Sequence, residues 1–256
     1  MKAAFIQTRP DGQILNQGNY TAYYGFLKLG YKTEFYSSAL DYSKKLEQLP
    51  LPVTTGGINT IRQILSNYNI VQPELQKPHV ELPDFLKRNL FEMSMSEFFD
   101  YISVDGFKPI FIKPLEEDKA FTGFVFKHKT DLLKFGRKLP DDFMFLTSEV
   151  IEFQSEFRSF IQNRKIIDCK NYTGNFWLRP NPHIIQEAVE AYINQPIAYT
   201  LDWGIDMNGN TILIEINDAF GVAPYGLDPV KYARFLEARW NEIITQKSQG
   251  VFSQIT

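Results

Sequence analysis

Short apolar runs of strand length alternate along the chain with longer stretches whose apolar positions recur at helical spacing. Residues 2–7 and 32–36 predict strands on either side of an aromatic-rich helix over 20–29, which stops at Gly30 as helices often do. After a turn-rich segment over 49–57, residues 58–67 place Ile58, Ile61, Ile64 and Leu65 on one face of a second helix. Strands alternating with helices indicate an α/β unit that opens as βαβ. Residues 71–83 carry three prolines and little apolar periodicity, so a linker is expected there, ahead of a helix near 95–102.

From Lys108 the pattern changes to hairpins. Residues 109–113 and 123–127 predict paired strands joined by a polar loop that contains Lys119, with a helix over 131–139 packed on them. Strands follow over 143–150, 157–162 and 165–170, the last two joined by a tight turn at Asn163 and Arg164. An amphipathic helix over 182–194 precedes a hairpin, 198–207 with 211–217, whose turn Asn208-Gly209-Asn210 tolerates positive φ. A helix over 229–244 closes the fold, and the tail from Gln246 is expected to fray. The expected domains are 1–80 (α/β), 81–145 and 146–246 (α+β), then a tail over 247–256.

Composition narrows the function classes. With 256 residues, 44% of them hydrophobic, the chain can bury a sizeable core. A net charge of −3 gives no electrostatic footprint for DNA binding. No run approaches the roughly 18 apolar residues of a membrane span, so a cytoplasmic protein with no membrane partner is expected. One cysteine, Cys169, excludes an internal disulfide and a cysteine-rich zinc site. The isolated His79, His128 and His183 show no metal-ligand spacing.

The final hairpin carries the strongest chemical signal, with Asp202 on one strand and Glu215 and Asn217 on the next. Side chains alternate along a strand, so 215 and 217 share a face, and pairing across the turn can bring 202 beside them. Set in the apolar run 212–216, such groups are costly to bury without partners, and magnesium is one partner that takes carboxylate and carbonyl oxygens. The plain alternative is an edge hairpin whose polar groups face water. A second signal is Lys113 at a strand end and Lys119 before Thr122-Gly123, since a glycine-containing loop approaches phosphates closely and a lysine supplies a point charge. A third is the run 149–158, where apolar residues alternate with carboxylates. Its Arg158 and the later Lys170 lie on successive strands, where they either face one cleft, neutralising a triphosphate, or form structural ion pairs.

As a set, these elements resemble the ATP-grasp superfamily over roughly 108–240. The matching pieces are Phe111-Ile112-Lys113-Pro114, Glu149-Val150-Ile151, Glu156 seven residues after Glu149, and Asp202 thirteen residues before Glu215-Ile216-Asn217. The resemblance implies two α+β lobes enclosing ATP behind a small βαβ pre-grasp domain. It implies that Glu149 and Val150 hold adenine, Glu156 ribose, and Lys113 with Lys119 the phosphates, Lys127 and Lys129 being alternatives to Lys119. Asp202, Glu215 and Asn217 would ligate magnesium. Glu156-Phe157-Arg158-Ser159-Phe160 with Lys170 resembles the divergent clade that includes the eukaryotic assembly chaperone of initiation factor two, whose bacterial and viral members are thought to be peptide or protein ligases. Arg158 and Lys170 would stabilise the transferring phosphoryl group. The family's small residue and Pro-Gly after the Glu-x-Asn signature is replaced here by Asp218-Ala219-Phe220-Gly221.

The resemblance therefore implies an ATP- and magnesium-dependent carboxylate–amine ligase that acts through an acyl phosphate on peptide, protein or small-molecule substrates. The alternative is an ATP-binding assembly chaperone without ligation. Tyr172, Phe176 and Trp177 are either a platform for a partner or packing beneath the last hairpin.

Overall fold

The computed structural model describes residues 2–46, 51–74, 77–115, 121, 123–135 and 138–252, with side chains through 245. The chain opens with β1 (Ala3–Gln7), α1 (Gln17–Lys28), β2 (Lys32–Tyr36), α2 (Ala39–Lys45), β3 (Val53–Thr55) and α3 (Ile58–Asn67). The three strands form a parallel sheet in the order β2-β1-β3, with helices in the crossovers that parallel pairing demands. Helix α1 starts earlier than the apolar pattern predicts because the Asn16 side chain caps it, accepting from the Asn19 amide at 3.0 Å. Strand β3 lies inside the segment expected to be turns. All three of its residues are buried, so it lacks the alternation that marks a strand with one wet face. Helix α2, also outside the expected elements, is capped by Ser38.

The 71–83 segment is not structureless: Pro78–Glu81 forms one helical turn, α4, and a 3-10 turn follows at Pro83–Phe85. Next come β4 (Leu90–Ser94), α5 (Met95–Ser103), β5 (Ile110–Pro114), β6 (Phe124–Phe126) and β7 (Met144–Glu149), pairing antiparallel in the order β4-β7-β5-β6. Ser94 and Glu97 form a capping box at the start of α5, which lays Met95, Phe98 and Ile102 on the sheet. The segment expected as a helix over 131–139 is instead a 3-10 helix over Lys129–Phe135. Asp131 accepts from the Lys127 and His128 amides and closes the winding at its start, while Phe135 packs on Phe98 and Phe145. Strand β7 runs through the boundary expected at 145–146 and pairs along its whole length in this sheet.

The third layer holds β8 (Phe153–Gln162), β9 (Lys165–Gly174), α6 (Pro182–Ala191), β10 (Ala198–Asp206), β11 (Thr211–Asp218) and α7 (Pro229–Phe252). Its antiparallel sheet has the order β11-β10-β8-β9. One face presents Phe157, Leu201, Trp203 and Leu213 to α6; the other presents Phe160 to Phe235 of α7. Helix α7 also closes over the parallel sheet, so the first and third layers share one core. Gly25 makes that approach possible: a Cβ there would lie 1.9 Å from the Pro229 carbonyl oxygen. Helix α7 continues through Phe252, across the segment expected to fray.

Candidate active site

The register of the third sheet assembles the site. Asp202 on β10 is paired on one side with Glu215 of β11 and on the other with Arg158 of β8, and Arg158 is paired with Lys170 of β9. Glu215, Asp202, Arg158 and Lys170 thus form a single row of two anions and two cations across four strands, on the face shared with Phe160. Directly opposed residues in a sheet share a face, so the row is a consequence of register alone.

Within the row, Asp202 is 2% exposed and accepts from Arg158 Nε at 2.7 Å and from its Nη2 at 2.6 Å. These are the two parallel bonds of a bidentate arginine–carboxylate pair. Burial pushes the Asp202 carboxyl up, the Arg158 guanidinium pulls it down, and the Glu215 carboxylate adds to the rise. Burial alone would lower Arg158, but its bonds to Asp202 outweigh it and hold the guanidinium charged. Asn217 Nδ2 donates to Glu215 Oε1 at 2.9 Å and lies 3.5 Å from Asp202 Oδ2, so the Asp202, Glu215 and Asn217 side chains do converge. A bulge between Asp202 and Trp203 leaves Ile214 unpaired next to Glu215.

Two tyrosines that the sequence pattern does not tie to the site cover the row. Tyr172, the extra residue of a bulge in β9, donates to Glu156 Oε2 at 2.7 Å and stacks on Tyr225 with centroids 4.7 Å apart. The Arg158 guanidinium lies 4.8 Å from the Tyr225 ring centroid. Tyr225 has φ 44, an uncommon conformation for an aromatic residue, and the segment before it is tied to α7 by the Tyr232 hydroxyl, which donates to the Val222 carbonyl at 2.6 Å. Burial raises Tyr172 well above the ordinary phenol range, with Asp202 and Glu156 adding to it, so it stays a donor.

Lys113, at the end of β5, lines the same cleft of about 410 Å³ as Glu215 and Asn217. Arg62 of α3, with Lys77 and His79 around α4, also lines it. Those three come from a linker without periodicity and from a helix of another layer, so no spacing in the sequence marks them. Burial lowers the His79 pKa, and Lys77 and Lys113 lower it further against a rise from Glu92. The cleft has the volume of a small-molecule site, and its lining carries Arg62, Lys77 and Lys113 together with Glu74, Glu215 and Asp218.

Lys170 and the remaining expected residues make other contacts. Lys170 reaches Asp168 at 3.2 Å. Glu149 is exposed at the end of β7, where its carboxylate accepts from the Asn89 amide at 3.4 Å, and Val150 is half-buried in the connection to β8. Lys119 lies outside the described residues; Lys127 and Lys129 are exposed, Lys129 lying 3.9 Å from Asp105.

The donor set suits a hard cation in part. Among the described residues no group of three or more His, Cys, Asp or Glu side chains could hold a metal ion. Counting the amide, Glu215 and Asn217 offer oxygens at the cleft wall, as magnesium requires. Both Asp202 oxygens are turned to Arg158.

Two antiparallel sheets that face each other across a charged cleft, the second ending in Glu215-Ile216-Asn217, define the ATP-grasp fold. The chain belongs to the family described as ATP-grasp domain, R2K clade family 2, whose model matches residues 85–235. Solved structures share the fold. D-alanine–D-alanine ligase from Bacillus anthracis complexed with ATP is similar at a TM-score of 0.57 and 12% identity, over 96% of this chain and 98% of that one. N5-carboxyaminoimidazole synthetase from Staphylococcus aureus complexed with ADP is similar at 0.58 and 14%, over 94% and 78%. A RimK domain ATP-grasp protein from Sphaerobacter thermophilus gives 0.58 and 12%, over 95% and 100%. No curated protein matches the chain. No described helix is long and apolar enough to cross a membrane.

Proposed function

We propose that this chain is an ATP- and magnesium-dependent ligase that joins a carboxylate to an amine on a peptide or protein substrate in the cytoplasm. The observation that carries the reading is the row Glu215–Asp202–Arg158–Lys170, which sets anions and cations side by side across the sheet and whose Glu215 end lines, with Asn217, a cleft that also has Lys113 in its lining. Phosphoryl transfer needs chiefly positioning and charge neutralisation, and these residues are placed for both. Lys113 and Arg158 hold phosphate oxygens, and Lys170 joins them when it leaves Asp168. Glu156 is oriented by Tyr172 to accept from a ribose hydroxyl, and Glu149 and Val150 line the adenine end. When bound, magnesium supplies the charge that offsets the β- and γ-phosphates. Glu215 and Asn217 would hold it, and Asp202, which anchors Arg158, would join them on giving up that pairing. The γ-phosphoryl group passes to a substrate carboxylate oxygen with release of ADP. The amine then attacks the acyl carbon, phosphate leaves, and an amide forms.

The test is ADP formation with magnesium, ATP and a fractionated pool of cellular peptides, followed by mass spectrometry for a product that is heavier by the partner less one water. Stoichiometric ADP and amide formation supports ligation. Tight ATP retention with no ADP and no adduct would instead establish the chaperone reading, which the exposed Phe176–Trp177 pair, 55% and 78% accessible, favours as a surface for a folded partner.

A further inference from the structure

On the side of the third sheet that packs against α6, strand β9, the start of α6 and the chain between them line a second cavity, of about 390 Å³. Phe157, Ile166, Phe176 and Ile185 make its apolar part, and Cys169, Lys170, Asn171 and Arg179 supply its polar groups. The volume is that of a small-molecule site.

We infer that this cavity is a second ligand site, which takes a small organic acid with one carboxylate and an aromatic or branched apolar body, the carboxylate held by Arg179. The inference is independent of the ligase reading.

Charge in the lining is unbalanced. Lys170 and Arg179 are both cations, and no described lining residue is acidic. Lys170 has a counter-ion just outside, Asp168 at 3.2 Å. Arg179 has none among the described residues: its Nη1 donates to the carbonyls of Phe176 and Leu178, the latter at 2.7 Å, and makes no ion pair. Those two bonds hold the guanidinium against the 176–178 turn and leave its Nε and Nη2 edge, the fork that binds a carboxylate through two parallel hydrogen bonds. A donor fixed in advance loses little freedom when a ligand arrives. Helix α6, ten residues long, begins at the cavity with Pro182 and adds the positive end of its dipole.

The rest of the lining selects the body of the acid. The Asn171 side-chain nitrogen is committed to Ser155 Oγ and to the Glu156 and Thr173 carbonyls, so it anchors nothing further. Burial pushes the Cys169 thiol up, which keeps it neutral and makes it a soft apolar contact instead of a nucleophile. Phe176 is 55% exposed although it lines the cavity, and an apolar ligand body covers ring surface that otherwise faces water. One cation without a counter-ion matches one carboxylate. A phosphate monoester carries about 1.5 to 2 negative charges and brings the excess against an apolar wall. Lys170 belongs both to this lining and to the row, so the occupant lies beside a residue of the candidate active site.

The test uses the full chain without nucleotide, with phenylacetate, phenylacetamide and phenyl phosphate as probes. Cys169 is the single cysteine of the chain and lines the cavity, so its rate of alkylation by iodoacetamide, an uncharged reagent, reports occupancy. Phenylacetate is expected to slow alkylation saturably and to shift the backbone amides of residues 176–179, and phenylacetamide at equal concentration is not. Arg179→Gln should weaken phenylacetate binding by about tenfold or more and abolish the preference for acid over amide. Phe176→Ala should weaken it several-fold. No protection by phenylacetate, equal protection by acid and amide, tighter binding of phenyl phosphate, or unchanged binding in Arg179→Gln would each overturn the assignment. Should Arg179→Gln fail to fold, Phe176→Ala decides, and unchanged binding there overturns the site. With no nucleotide present, the result stands whether or not the chain proves to ligate.

Discussion

Arg158 and Asp202 face each other on adjacent strands, joined by two hydrogen bonds, both side chains nearly closed to solvent. Breaking one partner of such a pair leaves the other charge buried and alone. Asp202→Ala is therefore expected to cost about 3–5 kcal/mol of stability, read from the urea midpoint. Loss of activity in that variant would follow from a loosened Arg158 as readily as from a lost metal ligand. A midpoint within experimental error of the wild type would refute the pairing.

Glu215→Gln separates the two effects. Glu215 stands at the cleft wall, and its Arg158 contact is long, 3.9 Å. The amide keeps the oxygen that accepts from Asn217, so stability should fall by no more than about 1.5 kcal/mol, the scale of one hydrogen bond and well short of Asp202→Ala. Magnesium-dependent ADP formation should fall on the order of a hundredfold, as when a group that steadies transition-state charge is removed. Undiminished turnover would remove Glu215 from the metal site.

Lys113→Ala should weaken nucleotide binding by about tenfold or more, since hydrogen bonds to charged groups contribute about 1.5–3 kcal/mol. Calorimetry at low and high salt checks it: the difference between wild type and variant should shrink as ionic strength rises. A salt-independent loss would indicate altered packing instead.

Gly25→Ala tests the docking of the first layer on the third. Its methyl would press on the Pro229 carbonyl and on Ala233 Cβ, 2.9 Å away. A destabilisation of about 1–3 kcal/mol is expected for such overpacking. The expected secondary effect is faster amide exchange along α1 and the start of α7, with exchange in the second sheet unchanged.

Much of the site was legible in the chain. Residues 215 and 217 share a face because strand side chains alternate, and the Asn208-Gly209-Asn210 turn pairs their strand with that of 202, although the bulge at Ile214, which no pattern in the chain marks, is what sets 202 opposite 215 and not 214. Such features are local, because period and turn chemistry act over a few residues. Strand β3 and strand β4 escaped notice for the converse reason: β3 is three residues long and buried throughout, and β4 exposes Phe91.

Tertiary structure alone decided what the charged residues do. The strand order β11-β10-β8-β9 puts β10 between two strands that are not both its neighbours in sequence, and only that order sets Arg158 against Asp202. Arg62, Lys77 and His79, from α3 and the segment around α4, come to line one cleft with Glu215 only through the packing of the layers. Alternation determines which way a side chain points. Which partner it meets depends on long-range packing, where the burial of many apolar side chains settles strand order and register at once.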